Sequence, residues 1–84
     1  MIPPRIKNVM PTENYKLIIV YDNGEVKKYD MTNRLELDFY KKLKNVDYFN
    51  EVKNAEVTVE WPDGEDIDPN ELYENSESIQ LYIE

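Results

Sequence analysis

The densest cluster of reactive side chains lies in one short stretch, Asp63, Glu65, Asp66 and Asp68. Paired carboxylates of this kind serve general acid–base chemistry when burial or a like charge holds one of them protonated. They are also the ligands of a hard cation. Asp66, Asp68, Asn70 and Glu77 fall on the first, third, fifth and twelfth positions of a calcium-binding loop. The sixth position, where such a loop turns on Gly, is Glu71. Asp68-Pro69-Asn70-Glu71 spells a helix start instead, with Asp as the cap, Pro in the first turn and Glu three residues on. Turn and cap roles thus explain each acid without catalysis or metal. The chain has no His and no Cys, the commonest general base and the strongest nucleophile and thiolate ligand. Its two Ser, at 76 and 78, have no base in reach by sequence. The expectation is a protein without catalytic residues, cofactor or metal.

Charge is the next feature. Through Asn54 the chain carries all ten Lys and Arg against eight acids, a net of +2. From Ala55 to Glu84 it carries ten acids and no base. An acidic surface is therefore expected, one that repels phosphates and suits a basic partner or simple solubility. Arg34, Lys41, Lys42 and Lys44 gather on one segment and offer the alternative of a DNA-associated domain, but Glu36 and Asp38 offset them. With a pI near 4.5, nucleic acid is not the expected partner of this chain alone.

The elements that position these residues are short. Arg5 to Met10 reads as a strand ended by Pro11. Tyr15 to Tyr21 reads as a second, with Leu17, Ile19 and Tyr21 on one face and Ile18 and Val20 on the other, as if buried on both sides. Asp22-Asn23-Gly24-Glu25 then predicts a two-residue type I′ turn into a third strand, Val26 to Asp30, whose imperfect alternation allows a bulge. Leu35, Phe39 and Leu43 recur every four residues and predict an amphipathic helix. Tyr48 and Phe49 should plug the end of the core. Val52 and Glu56 to Trp61 predict two more strands, with Val57, Val59 and Trp61 sharing a face, before a turn at Pro62-Asp63-Gly64. The sum is one α+β domain, an antiparallel sheet of about five strands with a helix inserted after the third. A short C-terminal helix and an alternating terminal segment, Ser78 to Glu84, complete it.

Eighty-four residues suit one domain, whose folding buries only about 60% of the surface of the unfolded chain. Met1-Ile2-Pro3-Pro4-Arg5 shows no apolar run after a basic start, and no stretch reaches the length of a membrane span. A cytoplasmic protein without disulfides is the expectation.

Four stretches together resemble a small bacterial family, domain of unknown function 2442. They are Tyr15-Lys16-Leu17 with Tyr21-Asp22-Asn23-Gly24-Glu25 and Asp30; Phe39 with Leu43 and Phe49; Trp61-Pro62-Asp63-Gly64; and Asp66-Ile67-Asp68-Pro69 with Leu72-Tyr73. The resemblance covers roughly residues 5 to 73 and leaves 74–84 as an extension. It implies a small α+β domain found alone or before a helix-turn-helix module, and the expectation from residues 74–84 is the form without that module. It also implies no catalytic residues. Members that stand alone are often encoded beside domain of unknown function 4160 proteins, in pairs proposed as toxin–antitoxin modules.

The functional expectation is a non-enzymatic interaction module, an antitoxin-like partner of a small basic protein or of its own copy. A stand-alone structural role is the plainer alternative. Its contact residues would be Trp61, Asp63 and Asp66 in the acidic third, with Ile79, Leu81, Tyr82 and Ile83 of the tail pairing either with its own sheet or with another chain.

Overall fold

A computed structural model describes residues 2–79. Its main sheet has four antiparallel strands in the order β1-β2-β3-β6: β1 (Ile6–Pro11), β2 (Lys16–Tyr21), β3 (Val26–Asp30) and β6 (Glu77–Ser78). A separate two-stranded sheet pairs β4 (Lys53–Asn54) with β5 (Val59–Glu60). Two short helices, α1 (Val46–Phe49) and α2 (Pro69–Glu74), complete the α+β fold.

Leu17, Ile19 and Tyr21 of β2 are buried, and Tyr29 of β3 joins them. The buried residues of the remaining chain, among them Leu35, Leu43, Phe49, Val59, Trp61, Ile67 and Leu72, pack in one cluster with that face. Ile18 and Val20 are only half-buried and lie outside this cluster, so β2 is covered on one face rather than two.

Several expectations change. The Asp22–Gly24 turn is not type I′, because Gly24 alone has a positive φ, +93°. Tyr21 donates its amide to the Glu25 carbonyl (2.9 Å) and accepts that of Gly24 (3.0 Å), a three-residue loop closed by a left-handed glycine. The bulge lies between Ile6 and Asn8 of β1, while β2 and β3 pair without interruption. The inward residue of β3 is Lys27, not Val26: it is 8% exposed, and its ammonium reaches the Tyr73 carbonyl (2.8 Å) over the Tyr73 ring. Strand β2 starts at Lys16, since Tyr15 takes a left-handed backbone (φ +60°). Tyr15 is held there by hydroxyl donation to the Lys44 carbonyl (2.5 Å), an edge-on contact with Phe49, and the Met31 amide on its own carbonyl.

The predicted amphipathic helix is replaced by 3₁₀ turns at Thr32–Arg34 and Asp38–Lys44, with Leu37 extended between them. Bonds from Arg34 to Met31, Leu37 to Arg34 and Tyr40 to Leu37 span three residues, not four. The tighter winding turns Tyr40 and Leu43 inward and leaves Phe39 56% exposed. The run from Glu56 to Trp61 is also shorter than read. Glu56 has φ +75°, and Asn54 caps its amide (2.7 Å), so the chain turns there and only Val59–Glu60 is strand. The Glu56 carbonyl accepts from Ile6 instead (2.6 Å), docking the small sheet on β1. The fourth strand of the main sheet is β6, which pairs with β3 within the chain.

Among the described residues, no helix is long and apolar enough to cross a membrane.

Candidate interaction surface

The acids that could do chemistry are dispersed by the fold. Asp68 caps α2, accepting from the amides of Asn70 (2.9 Å) and Glu71 (3.1 Å). Glu65 is 7% exposed and accepts the Tyr48 hydroxyl (2.5 Å). Asp63 is exposed at the tip of the second turn and pairs with Lys42, whose ammonium is raised above its usual range by that hydrogen bond. The side chain of Asp66 is exposed, while its carbonyl accepts the Tyr40 hydroxyl (2.8 Å). Among the described residues, no three acids gather as a metal site would require.

Glu71 does not close a capping box with Asp68. Its carboxylate binds the Arg34 guanidinium (2.5 Å), the Tyr29 hydroxyl (2.8 Å) and the Asn75 amide (2.6 Å). These residues, with Asp30, Asn33 and Leu37, line an open cleft of about 480 Å³. Burial, reinforced by the bond to Glu71, pushes the Tyr29 phenol far above its usual range. The hydroxyl and amide of Thr32 hold the Asp30 carboxyl below its own. Arg34 and Glu71 are thirty-seven residues apart, so no local pattern announces the pair; each alone reads as a surface charge.

The charge blocks of the sequence fold against each other. Arg5 meets Glu56 (3.1 Å), Lys53 meets Glu60 (3.6 Å), Lys42 meets Asp63 and Arg34 meets Glu71. The acids of the C-terminal third therefore do not form one bare surface. Asp66, Asp68 and Glu74 are exposed and stand in no ion pair among the described residues. They stand at α2 and its entry, and with Glu77 of β6, also exposed and in no ion pair among the described residues, they are what remains of the acidic block. On the opposite charge, Lys41 meets Asp38 (2.9 Å) and Lys44 meets Glu36 (2.8 Å).

Of the residues expected to meet a partner, Asp63 and Asp66 lie at the surface. Trp61 does not: it is 1% exposed, and its indole donates to the Phe49 carbonyl (2.9 Å), which fixes it inside the core. Ile79 is half-buried, its amide bonded to the Val26 carbonyl (2.9 Å). Leu81, Tyr82 and Ile83 lie outside the described residues.

A family model described as "Protein of unknown function (DUF2442)" matches residues 6–78, from the first residue of β1 to the last of β6. The chain belongs to this family. The match is longer than the resemblance read from the sequence, which stopped near Tyr73, and takes in β6, which pairs with β3 in this chain. No curated protein and no solved structure matched the chain.

Proposed function

We propose that this DUF2442 chain is a non-enzymatic interaction module, the antitoxin-like partner of a small basic protein in the cytoplasm. The reading rests on one observation. While Glu56, Glu60, Asp63 and Glu71 face cations of the same chain, Asp66, Asp68 and Glu74, around α2, are exposed without an ion pair among the described residues, as is Glu77 of β6. A basic partner gains there both steering and short-range pairing. The pairing of Lys41, Lys42 and Lys44 with acids of the chain supports the same choice over DNA, since each of those cations is already offset.

The test uses the full chain as bait in its native host, beside an Asp66→Lys/Glu74→Lys variant that keeps the Asp68 cap. Retention of a small basic chain by the parent and its loss by the variant are expected. Equal retention by both, or retention of acidic chains only, overturns the reading. A second bait ending at Ile79 keeps β6 in place and separates the contribution of residues 80–84 from that of Asp66 and Glu74.

A further inference from the structure

The main sheet has a second face, and its residues form a pattern. Neighbouring across the strands on that side are Met10 and Ile18, Val20 and Val26, and then Val26 and Ile79, joined by the bond from the Ile79 amide to the Val26 carbonyl. Met10 is 40% exposed; the other four are half-buried, and none of the five belongs to the core cluster or packs against it. The buried side chains of the 3₁₀ turns, α1, β5 and α2 all join the opposite face. Among the described residues, a contiguous apolar stripe thus runs from β1 through β2 and β3 to Ile79, just past β6, on the side away from the core.

Its borders carry charge of both signs. Lys16 stands across from Asp30, and Lys28 across from both Ile18 and Glu77. This face therefore carries two cations and two anions around an apolar centre, on a chain whose formal net charge is −8. A basic protein gains nothing particular from such a balanced surface, whereas it gains at Asp66, Asp68 and Glu74. A second copy of the chain fits it. Rotated by a two-fold axis, the same patch offers apolar residues to apolar residues and lysines to acids, the self-complementarity that an isologous contact requires. Two sheets stacked face to face in this way lie about 10 Å apart.

We propose that the open face of the sheet is a homodimer interface, centred on Ile18, Val20 and Val26, which leaves the acids around α2 directed outward on both copies. A face only four strands wide, at about 4.8 Å per strand, is small beside standard interfaces, so the dimer forms and dissociates with concentration.

Light scattering and sedimentation of the full chain, from micromolar to millimolar concentration, test this directly. The mass rises to twice that of the monomer for the parent, and Val20→Lys abolishes the rise. Lys28→Glu, a surface change that leaves the core untouched, keeps the protein folded by circular dichroism and also weakens self-association. Because the chain has no cysteine, Val20→Cys with a flexible bis-maleimide gives covalent dimers that Glu74→Cys does not. Monomer mass at every concentration overturns the proposal, as do a dimer that Val20→Lys leaves intact and equal cross-linking at the two positions. None of these readouts depends on the basic partner.

Discussion

Two turns of this molecule share one local design and differ in what surrounds it. Tyr21-Asp22-Asn23-Gly24-Glu25 and Trp61-Pro62-Asp63-Gly64-Glu65 each begin on an aromatic residue that is 1% exposed. Each closes with a glycine at positive φ, +93° and +100°. In each, the aromatic amide donates to the glutamate carbonyl (2.9 and 2.8 Å), and its carbonyl accepts the glycine amide (3.0 and 2.9 Å). In each the glutamate carboxylate receives a tyrosine hydroxyl, Tyr73 for Glu25 and Tyr48 for Glu65, with a lysine ammonium over that tyrosine ring. The contexts then diverge. The first turn joins two full strands of the main sheet, while the second links the end of β5 to the bridge between Glu60 and Asp66. Trp61 has its polar atom satisfied by Phe49, whereas the Tyr21 hydroxyl is buried without a partner. The turn chemistry is local and repeatable; how much each turn contributes depends on its neighbours.

The largest separation of the two turns comes from truncating their aromatic residues. The Trp61 ring, just past the end of a small sheet of only two residues per strand, packs on Phe49 of α1 (centroids 5.9 Å). Trp61→Ala removes that ring and leaves the Phe49 carbonyl with only the longer bond from the Val52 amide (3.3 Å), a loss of about 3–5 kcal/mol. For a domain of this size such a loss abolishes a measurable thermal transition or lowers its midpoint by tens of degrees. A cooperative transition within about 5 °C of the parent would mean that the second turn is not tied to the core through Trp61.

Substituting the two glycines compares the turns more closely. A Cβ at either position meets nothing within 4 Å, so only the backbone conformation is at stake. Gly24→Ala and Gly64→Ala should therefore each cost about 1–2 kcal/mol, and by similar amounts, in urea unfolding. A large excess at one site would mean that its context, rather than the left-handed residue, sets the cost.

The same contrast explains what the sequence disclosed. Features set by adjacent residues were legible: the Asp68 cap, the place of both glycine turns though not the type of the first, the inward face of β2 and the Phe49 plug. Features decided by distant neighbours were not. Leu35, Phe39 and Leu43 keep a helical spacing, yet bonds to the third residue rotate Phe39 outward and Tyr40 inward. Lys27 counts as polar in any alternation, but its stem is buried because the Tyr73 ring and carbonyl accept its ammonium. The acidic block looked like a single surface, and pairing with Arg5, Arg34, Lys42 and Lys53 leaves exposed and unpaired, among the described residues, only Asp66, Asp68 and Glu74 around α2 and Glu77 of β6.

A pH series probes the glutamate of the first turn. The Tyr73 hydroxyl, and then the Asn23 amide, hold the Glu25 carboxyl below its usual range in the folded protein. A folded-state value below the unfolded one stabilises at neutral pH, and that contribution disappears as pH falls through the folded-state value. The gap in urea midpoint between the parent and Glu25→Ala should therefore be widest near neutrality and close under acid. A gap that persists after the carboxylate is protonated would assign the effect of Glu25 to packing rather than to its charged form.

The smallest expected effect is the most discriminating. Burial, then the charges of Tyr73 and Glu25, pushes the Tyr21 phenol up to about 12, so the group is neutral at neutral pH. A buried neutral hydroxyl with no partner has lost its hydration and gained no bond in exchange. Tyr21→Phe removes that hydroxyl and keeps the ring against Tyr73, where the two meet edge-on at 5.1 Å. The thermal midpoint should hold or rise slightly, although the substitution deletes a polar group from the centre of the first turn. Trp61→Phe, a comparable aromatic exchange in the second turn, should instead lower it, because the Phe49 carbonyl then loses the indole donor and keeps only the longer bond from the Val52 amide (3.3 Å). A loss of more than about 1 kcal/mol in Tyr21→Phe would show that the hydroxyl has a hydrogen-bond partner in solution, and the two turns would then be held by the same kind of bond.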